Sequence, residues 1–290
     1  MRNILCVTLI ALLGGCTSTS VTEKYQDKRN DIINVKDKVI EFETGNVLIG
    51  SVSRLYMSNK CLLIADHKSV DKQIHIFNKN DFSYLTSIGN FGEGPEEITV
   101  MGCLAIDEAH HQLYVSDHAK QKIFSYDMDS VMVDSLYKPQ VKTAMNETLF
   151  PSEYQYINDT LSIAVLIKPT STSTFNQFLG RWNMNTGEMI PMKYTHPDIQ
   201  KKRITFAASE KAGIYVECYT RHDLMTICSL DGELLYNIYG PDWDGGNGNK
   251  LQSFGTVMIG NDKIFVSYCG EDYARDSFPT KILVFDLEGN

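Results

Sequence analysis

The chain has 290 residues, of which 43% are hydrophobic and 10% aromatic, and its formal net charge is −9. This length allows one large all-β unit or two ordinary domains, and the aromatic content suits pleated sheets. The acidic balance repels phosphate backbones, so nucleic acid is excluded as an expected partner.

The N-terminus has the pattern of an exported protein. Arg2 precedes the apolar run 4–13, which is far too short to span a bilayer. The run ends in Leu-Gly-Gly followed by Cys16, which resembles the lipobox of bacterial lipoproteins. That resemblance implies that Cys16 carries lipid, and acyl chains of this kind would hold the protein on a membrane. An ordinary signal peptide with an incidental Cys is the alternative.

These features predict three segments: a signal peptide over residues 1–15, a polar tether over 16–35 and a folded domain over 36–290. The expected location is the bacterial envelope, with the outer membrane as the anchoring membrane. Thr17-Ser18-Thr19-Ser20 follows the Cys, where some lipoproteins carry an acidic run that directs export to the surface. The side of the membrane that the domain faces therefore stays open.

Five cysteines follow Cys16: Cys61, Cys103, Cys218, Cys228 and Cys269. An odd number cannot pair completely. Cys218 and Cys228 fall on two arms of a predicted hairpin, so a disulfide between them is one hypothesis. Buried free thiols that fill strand positions are the other.

Two segments of the chain, LLIADHKSVDKQIHIF and LYVSDHAKQKIFSY, share one pattern. In each, an apolar run ends in an Asp-His pair, Asp66-His67 in the first copy and Asp117-His118 in the second, 51 residues apart. A period of about 50 residues indicates a repeat array.

Alternating apolar residues and turn residues predict up to four short strands in each of five repeats. The predicted strands are 48–56, 61–65, 73–78 and 84–88; 102–107, 112–116, 122–127 and 131–136; 154–157, 161–167, 178–184 and 189–193; 204–208, 213–219, 224–229 and 233–239; and 255–259, 263–268 and 281–286. Four antiparallel strands per repeat predict an all-β fold, a β-propeller of four-stranded blades. The fifth repeat lacks its outer strand. Residues 38–42 could supply it and close the ring, or a sixth blade could follow the end of the sequence.

Residues 88–98, IGNFGEGPEEI, resemble the G-x-x-G-x-GPGE turn of TolB-like, six-bladed propeller lipoproteins from Bacteroides-type bacteria. The pattern YVxD…IxxFD is also similar to NHL-type propeller repeats. Glu96 stands where the turn usually has its second Gly. The resemblance implies six blades and an envelope location, whereas five repeats are clear in the sequence. It supplies no catalytic residue.

Two groups of side chains are candidate metal ligands. Asp66, His67, Asp117 and His118 end the second strands of their repeats, and such ligands suit a divalent cation. The alternative is that each Asp caps the following turn. Asp242 and Asp244 have the spacing of a calcium loop, but the Gly at the sixth position and the Glu at the twelfth are missing. No cofactor is therefore expected, with Ca²⁺ or another divalent ion as the alternative.

A candidate binding face follows from strand direction. Loops after the second and fourth strands of every blade emerge on one side, and long loops on a rigid scaffold commonly bind ligands. That side would collect Arg221, His222, Trp243, Tyr273 and Arg275. A Trp on such a loop can anchor a sugar ring or a protein, or it can fill a blade interface. A solvated rim without a ligand is the alternative.

The sequence contains none of the motifs G-x-S-x-G, H-E-x-x-H or S-x-x-K with its partners. The expected function is therefore binding of an envelope protein, a peptide or a glycan, without catalysis. The alternative is a metal-dependent enzyme, lactonase- or lyase-like, with its site in the central channel. Carboxylates and imidazoles that converge on one point of the channel would favour the enzyme. A structural role in the envelope is a third hypothesis.

Overall fold

The computed structural model describes residues 22–290, except residues 30, 135, 200, 201, 247, 249, 250, 273, 274, 276 and 277. Within this part, five sheets follow one another along the chain, one from each predicted repeat. The prediction of an all-β propeller with five clear blades is thereby confirmed. The predicted signal peptide 1–15 and Cys16 lie outside the described residues.

The strand β1 (Glu23–Tyr25) comes first, followed by a 3₁₀ turn at Lys36–Lys38. Blade 1 contains β2 (Ser53–Met57), β3 (Cys61–Asp66), β4 (Lys72–Asn78) and β5 (Tyr84–Asn90). Blade 2 contains β6 (Met101–Asp107), β7 (Gln112–Asp117), β8 (Lys122–Asp127), the helix α1 (Met128–Val133) and β9 (Gln140–Ala144).

Blade 3 contains β10 (Phe150–Asn158), β11 (Leu161–Pro169), β12 (Phe175–Trp182) and β13 (Met189–Pro191). Blade 4 contains β14 (Ile204–Ser209), β15 (Ile214–Tyr219), β16 (Leu224–Ser229) and β17 (Leu234–Tyr239). Blade 5 contains β18 (Leu251–Gly260), β19 (Lys263–Asp272) and β20 (Lys281–Asp286). Neighbouring strands of a blade are antiparallel, and the first strand of each blade is its inner strand.

The predicted strand 131–136 is wrong, because the chain forms α1 there and the fourth strand of blade 2 is β9. The Asp127 side chain caps the helix by accepting a hydrogen bond from the Ser130 N–H. Val131 is buried against the blade, so an apolar run that suits a strand instead forms a short helix with one inward face.

The prediction that residues 38–42 supply the outer strand of blade 5 is also wrong. Residues 39–50 form no strand. Instead β1, which lies inside the expected tether 16–35, pairs in parallel with β17 and extends blade 4 to five strands. The Glu23 carboxylate accepts hydrogen bonds from Tyr239 Oη at 2.5 Å and from Asn237 Nδ2 at 3.1 Å, which fix this strand.

Buried clusters join successive blades. Each cluster takes side chains from two neighbouring sheets, as in the pairs Ile74 and Val115, Tyr114 and Ala164, Leu179 and Tyr215, and Val216 and Val266. Among the described residues, no buried cluster joins blade 5 to blade 1. The five blades therefore form an arc whose first and last members are not packed together.

Alternating strand direction gives the arc two sides. The hairpin face carries the turns between first and second strands, and the channel-mouth face carries the loops after second and fourth strands. On the hairpin face, polar contacts join each pair of neighbouring turns: Asn59 N to Glu108 Oε1, His110 Nδ1 to Asp159 Oδ1, Asn158 Nδ2 to Glu210 Oε1, and Lys211 Nζ to Asp262 Oδ1.

All five described cysteines are buried free thiols. Cys218 packs in the cluster between blades 4 and 5, whereas Cys228 packs in the cluster between blades 3 and 4. The two thiols therefore lie on opposite faces of one sheet and cannot form the hypothesised disulfide.

Candidate functional site

The two repeated Asp residues bind backbone. The Asp66 carboxylate accepts the Gly50 and Lys68 N–H groups at 2.7 and 2.9 Å. Burial opposes ionisation of Asp66, but these hydrogen bonds outweigh it and lower the pKa of the carboxyl. The Asp117 carboxylate accepts four N–H groups, two from the start of the inner strand and two from the following turn. Both carboxylates thus have the structural role given as the alternative to metal binding.

The two neighbouring histidines are partly buried and face the inner strand of the next blade. His67 Nδ1 lies 3.2 Å from the Met101 carbonyl oxygen, so Nδ1–H donates and Nε2 carries a lone pair. His118 lies edge-on to Phe150, with ring centroids 6.0 Å apart. The Nε2 atoms of both histidines are buried and have no hydrogen-bond partner among the described residues.

Burial lowers the pKa of both His67 and His118, so both rings are neutral at pH 7. The positive charge of Arg54 lowers the pKa of His67 further, and Glu153 acts on both rings in the opposite sense. The contacts of His67 with Met101 and of His118 with Gly102 and Phe150 place both rings at the start of β6.

An ion pair spans this region. Arg54 on β2 contacts Glu153 on β10, with Nη1 and Oε1 2.8 Å apart. The pair joins the inner strands of blades 1 and 3 across that of blade 2, at the end where the channel-mouth loops emerge. Its side chains are 52% and 40% exposed, so solvent and solutes reach it. Arg54, His67, His118 and Glu153 together are called the channel-mouth site below.

Glycine makes room for one of the rings. A Cβ atom at position 102, on β6, would lie 2.4 Å from His118 Nε2 and 2.4 Å from Ser116 Oγ. Any side chain at this position would displace the imidazole, so Gly102 permits the placement of His118 beside the inner strand.

A cleft of about 410 Å³ adjoins the site between blades 3 and 4. Glu153 lies at its edge, and its walls combine apolar and aromatic side chains with polar ones: Phe150, Ser152, Val165, Ile167, Phe175, Gln177 and Ile204. Phe175 is 57% exposed. The volume falls in the usual range for small-molecule sites, roughly 300–1,000 Å³.

Trp243 and His222 pack inside blade 4 and not on an open surface. Trp243 is partly buried, with its ring centroid 5.0 Å from that of Tyr239 and 5.6 Å from that of His196. His222 is buried beside it, and burial lowers its pKa. The loop after β17 folds back over its own blade, so this Trp fills a packing site, as the alternative interpretation proposed.

The other predicted face residues are not brought together. Arg221 is partly buried. Arg275 is exposed and lies 3.9 Å from the Glu271 carboxylate. Tyr273 lies outside the described residues. The predicted face residues belong to blades 4 and 5, whereas the channel-mouth site lies on blades 1 to 3.

Of the predicted metal ligands, His67 and His118 meet at the channel-mouth site, whereas the carboxylates have other partners. Asp242 and Asp244 contact Tyr268 and His222, respectively. In the described part of the chain, one group of three ligand atoms lies close together, on Asp107, His110 and Asp159. There the Asp107 carboxylate accepts a hydrogen bond from His110 Nδ1 at 2.8 Å and raises the pKa of His110. A ring that favours its proton is a poor metal ligand, so we assign this group to the blade contact on the hairpin face.

Sequence reasoning missed Arg54 and Glu153. The available signal was one charged residue in each of two inner strands, SRLYM and FPSEYQYIN, where side chains line the channel. Their pairing joins positions 99 residues apart and depends on the arrangement of three blades.

Comparisons with known proteins agree with this architecture. A protein of Bacteroides fragilis assigned as exported is 14% identical, with 92% of this chain and 80% of that chain covered and a TM-score of 0.52. A member of the duf4221 family from Bacteroides vulgatus is 10% identical, with 82% and 78% covered and a TM-score of 0.50. At such identities the likeness shows the fold alone. No curated protein sequence matches the chain.

None of the helices in the described part of the chain has the length and apolarity needed to cross a bilayer.

The sequence profile of DUF5128, described as a 6-bladed β-propeller, matches residues 17–178. That match covers more than half of the chain and includes blades 1 and 2 and the first two strands of blade 3, which together carry the channel-mouth site. The chain therefore belongs to the DUF5128 family of 6-bladed β-propellers.

Proposed function

We propose that the protein is an envelope binding protein that takes a saccharide at the channel-mouth site. The observation that carries this proposal is the pair of buried Nε2 atoms, on His67 and His118, for which the described part of the chain supplies no hydrogen-bond partner. Buried polar atoms are seldom unpaired, and an unpaired one indicates a place for water or a ligand. Both rings lie against the start of β6, at Met101 and Gly102, and the exposed Arg54–Glu153 pair spans the strands on either side of β6.

The chemistry of the four side chains suits hydroxyl groups. The His67 Nε2 lone pair and the Glu153 carboxylate accept hydrogen bonds, and the Arg54 guanidinium donates them. A sugar hydroxyl can donate and accept at once, so it can satisfy an imidazole and a charged group together. The flat rings of Phe150 and Phe175 in the adjoining cleft offer surfaces for the C–H face of a sugar ring.

Binding without catalysis is part of the proposal. An enzyme of the metal-dependent class needs carboxylates and imidazoles that converge on one point. Here Arg54 engages Glu153, and the repeated Asp66 and Asp117 are occupied by backbone N–H groups. We therefore propose that the protein needs no cofactor and binds no nucleic acid.

The envelope location rests on the N-terminal sequence. We propose that residues 1–15 are a signal peptide, that lipid on Cys16 anchors the domain to the outer membrane, and that the polar residues before β1 act as the tether. The TolB-like and NHL-like sequence patterns support this proposal. So does the assignment of the Bacteroides fragilis protein as exported.

The test is a glycan array followed by calorimetric titration of the saccharides that bind. Arg54→Gln and Glu153→Gln should each weaken binding about tenfold or more, because a bound hydroxyl loses a charged partner. Arg181→Gln is the matched control, since it breaks a surface ion pair with Asp231 in another part of the propeller. The proposal is wrong if no saccharide binds, or if Glu153→Gln binds as tightly as the control.

A second candidate function is metal-dependent lactonase or lyase chemistry at the same site. It is favoured by the His67 tautomer, since a carbonyl that holds Nδ1–H leaves Nε2 free as a metal ligand. Stoichiometric Zn²⁺ binding that is lost in His67→Gln/His118→Gln, together with lactone turnover, would support this function. Calorimetry that detects no Zn²⁺ binding would exclude it.

A further inference from the structure

A second cavity, of about 340 Å³, lies on the hairpin face between blades 1 and 2. It is remote from the channel-mouth site, which opens on the other side of the propeller. Its walls include the turn after β2, the turn after β6 and the helix α1. This cavity is called the helix pocket below.

The helix pocket exists because α1 interrupts the blade pattern. The chain turns into α1 directly after β8, where a tight hairpin would otherwise lead to the fourth strand. Val131 is 2% exposed and anchors the helix on the blade. Met128 and Met132 line the pocket, and Met132 is 38% exposed.

The interior of the pocket is apolar. Its lining includes Leu63, Leu85, Ile106, Leu113 and the two methionines. Leu63 and Leu113 are fully buried, which makes them the floor, whereas Leu85 is 43% exposed. Thioether and branched aliphatic side chains adapt to hydrocarbon groups of various shapes.

Among the charged residues of the lining, the three carboxylates of Asp107, Glu108 and Asp129 outnumber the one ammonium group, on Lys60. The side chains of Glu108, Asp129 and Lys60 are exposed there, so two carboxylates and one ammonium group lie at the surface of the pocket. The Glu108 carboxylate accepts the Asn59 N–H at 2.7 Å, which fixes it between the blades. The Asp129 carboxylate lies 2.8 Å from His111 Nδ1. Asp107, also in the lining, is buried and bound to His110.

The turn between β6 and β7 holds α1. His111 in this turn has a φ of +53°, a left-handed conformation that His adopts more readily than most residues with a side chain. Its carbonyl accepts the Met128 N–H at 2.9 Å, and its ring contacts Asp129. His111 therefore positions both the apolar wall and one of the carboxylates.

We infer that the helix pocket binds a small amphipathic amine, with the hydrocarbon part between α1 and the floor and the ammonium group at Glu108 and Asp129. The apolar interior accounts for the hydrocarbon part, and the excess of carboxylates over Lys60 selects the cation. The inference does not depend on saccharide binding, since the two cavities share no lining residue.

The test compares three probes of equal chain length, n-hexylamine, n-hexanol and n-hexanoate, by calorimetric titration of the full domain. We expect saturable binding of n-hexylamine and binding of n-hexanoate that is at least about tenfold weaker. The variant Glu108→Gln/Asp129→Asn should weaken n-hexylamine binding about tenfold. Asp231→Asn, an exposed carboxylate on another blade, should leave it unchanged.

Met132→Trp is the second variant, because the larger side chain fills the pocket from the exposed side of α1. It should abolish binding of all three probes while far-UV circular dichroism stays unchanged. The inference is overturned if n-hexylamine shows no saturable heat, if n-hexanoate binds as well as the amine, or if folded Met132→Trp retains binding.

Discussion

Asp117→Ala should be among the most destabilising single substitutions outside the apolar core. The Asp117 side chain is fully buried, and its two oxygens accept the N–H groups of Thr99, Val100, Ala119 and Lys120 at 2.8, 3.2, 2.9 and 3.1 Å. These donors belong to two separate segments, one before β6 and one after β7. The carboxylate therefore holds the start of an inner strand to the end of the second strand.

The magnitude follows from the number of donors left without an acceptor. A hydrogen bond of this type contributes about 1 kcal/mol, and more when the acceptor is charged. Water can replace part of the loss at the exposed turn, so four donors give about 3–5 kcal/mol. At Asp66 two such bonds are lost, from Gly50 and Lys68, which predicts about 2 kcal/mol for Asp66→Ala.

The assay is equilibrium urea unfolding followed by circular dichroism, with the wild type, the two Ala variants and Asp117→Asn. The Asn amide keeps one acceptor oxygen, which at the position of Oδ1 would hold three of the four N–H groups, so Asp117→Asn should cost less than Asp117→Ala. Asp231→Ala is the surface control and should change the free energy of unfolding by less than about 0.5 kcal/mol. The reasoning is refuted if Asp117→Ala costs no more than Asp66→Ala.

Two further predictions concern the histidines and the anchor. Burial lowers the pKa of His67 and His118 below the value of about 6.5 that each has in the unfolded chain. As the pH falls below about 6.5, the unfolded chain therefore binds protons before the folded protein does. The folded protein loses stability over this pH range as a result. His67→Gln/His118→Gln should reduce the loss measured by urea unfolding at about pH 7.5 and 5.5, and an undiminished loss would contradict the burial argument. Cys16→Ser should move the protein from the membrane fraction to the soluble fraction, and tight anchoring of this variant would argue against lipid on Cys16.

The fold could be predicted from the sequence because each blade is formed by residues that are close together in the chain. Alternating apolar residues mark each strand, and the Asp at the end of the second strand repeats because the same backbone donors need an acceptor in blades 1 and 2. The strand β1 was not accessible, because three polar residues, EKY, become a strand only through Asn237 and Tyr239, more than 200 residues away.

The helix α1 was not predicted for a different reason. Its residues MDSVMV suit a strand on the apolar pattern, and the decisive signal is the capping bond from the Ser130 N–H to Asp127. The orientation of Trp243 in the candidate site was not predicted either. Trp243 looked like an exposed anchor because its loop is rich in Gly and Asp, but Tyr239 and His196 cover it. Local composition predicts a loop and does not tell which way its aromatic residue points.

The number of blades depends on how the outer faces of blades 1 and 5 are covered, and a local sequence pattern does not predict that. Phe77 in blade 1 is fully buried although none of the described blades packs on that side, because Phe42 lies edge-on to it at 6.3 Å. On blade 5, Ile282 and Val284 remain 69% and 49% exposed. The family has six blades and the described residues form five. Among the described residues, Phe42 thus covers the outer apolar face of blade 1, whereas the corresponding face of blade 5 exposes Ile282 and Val284.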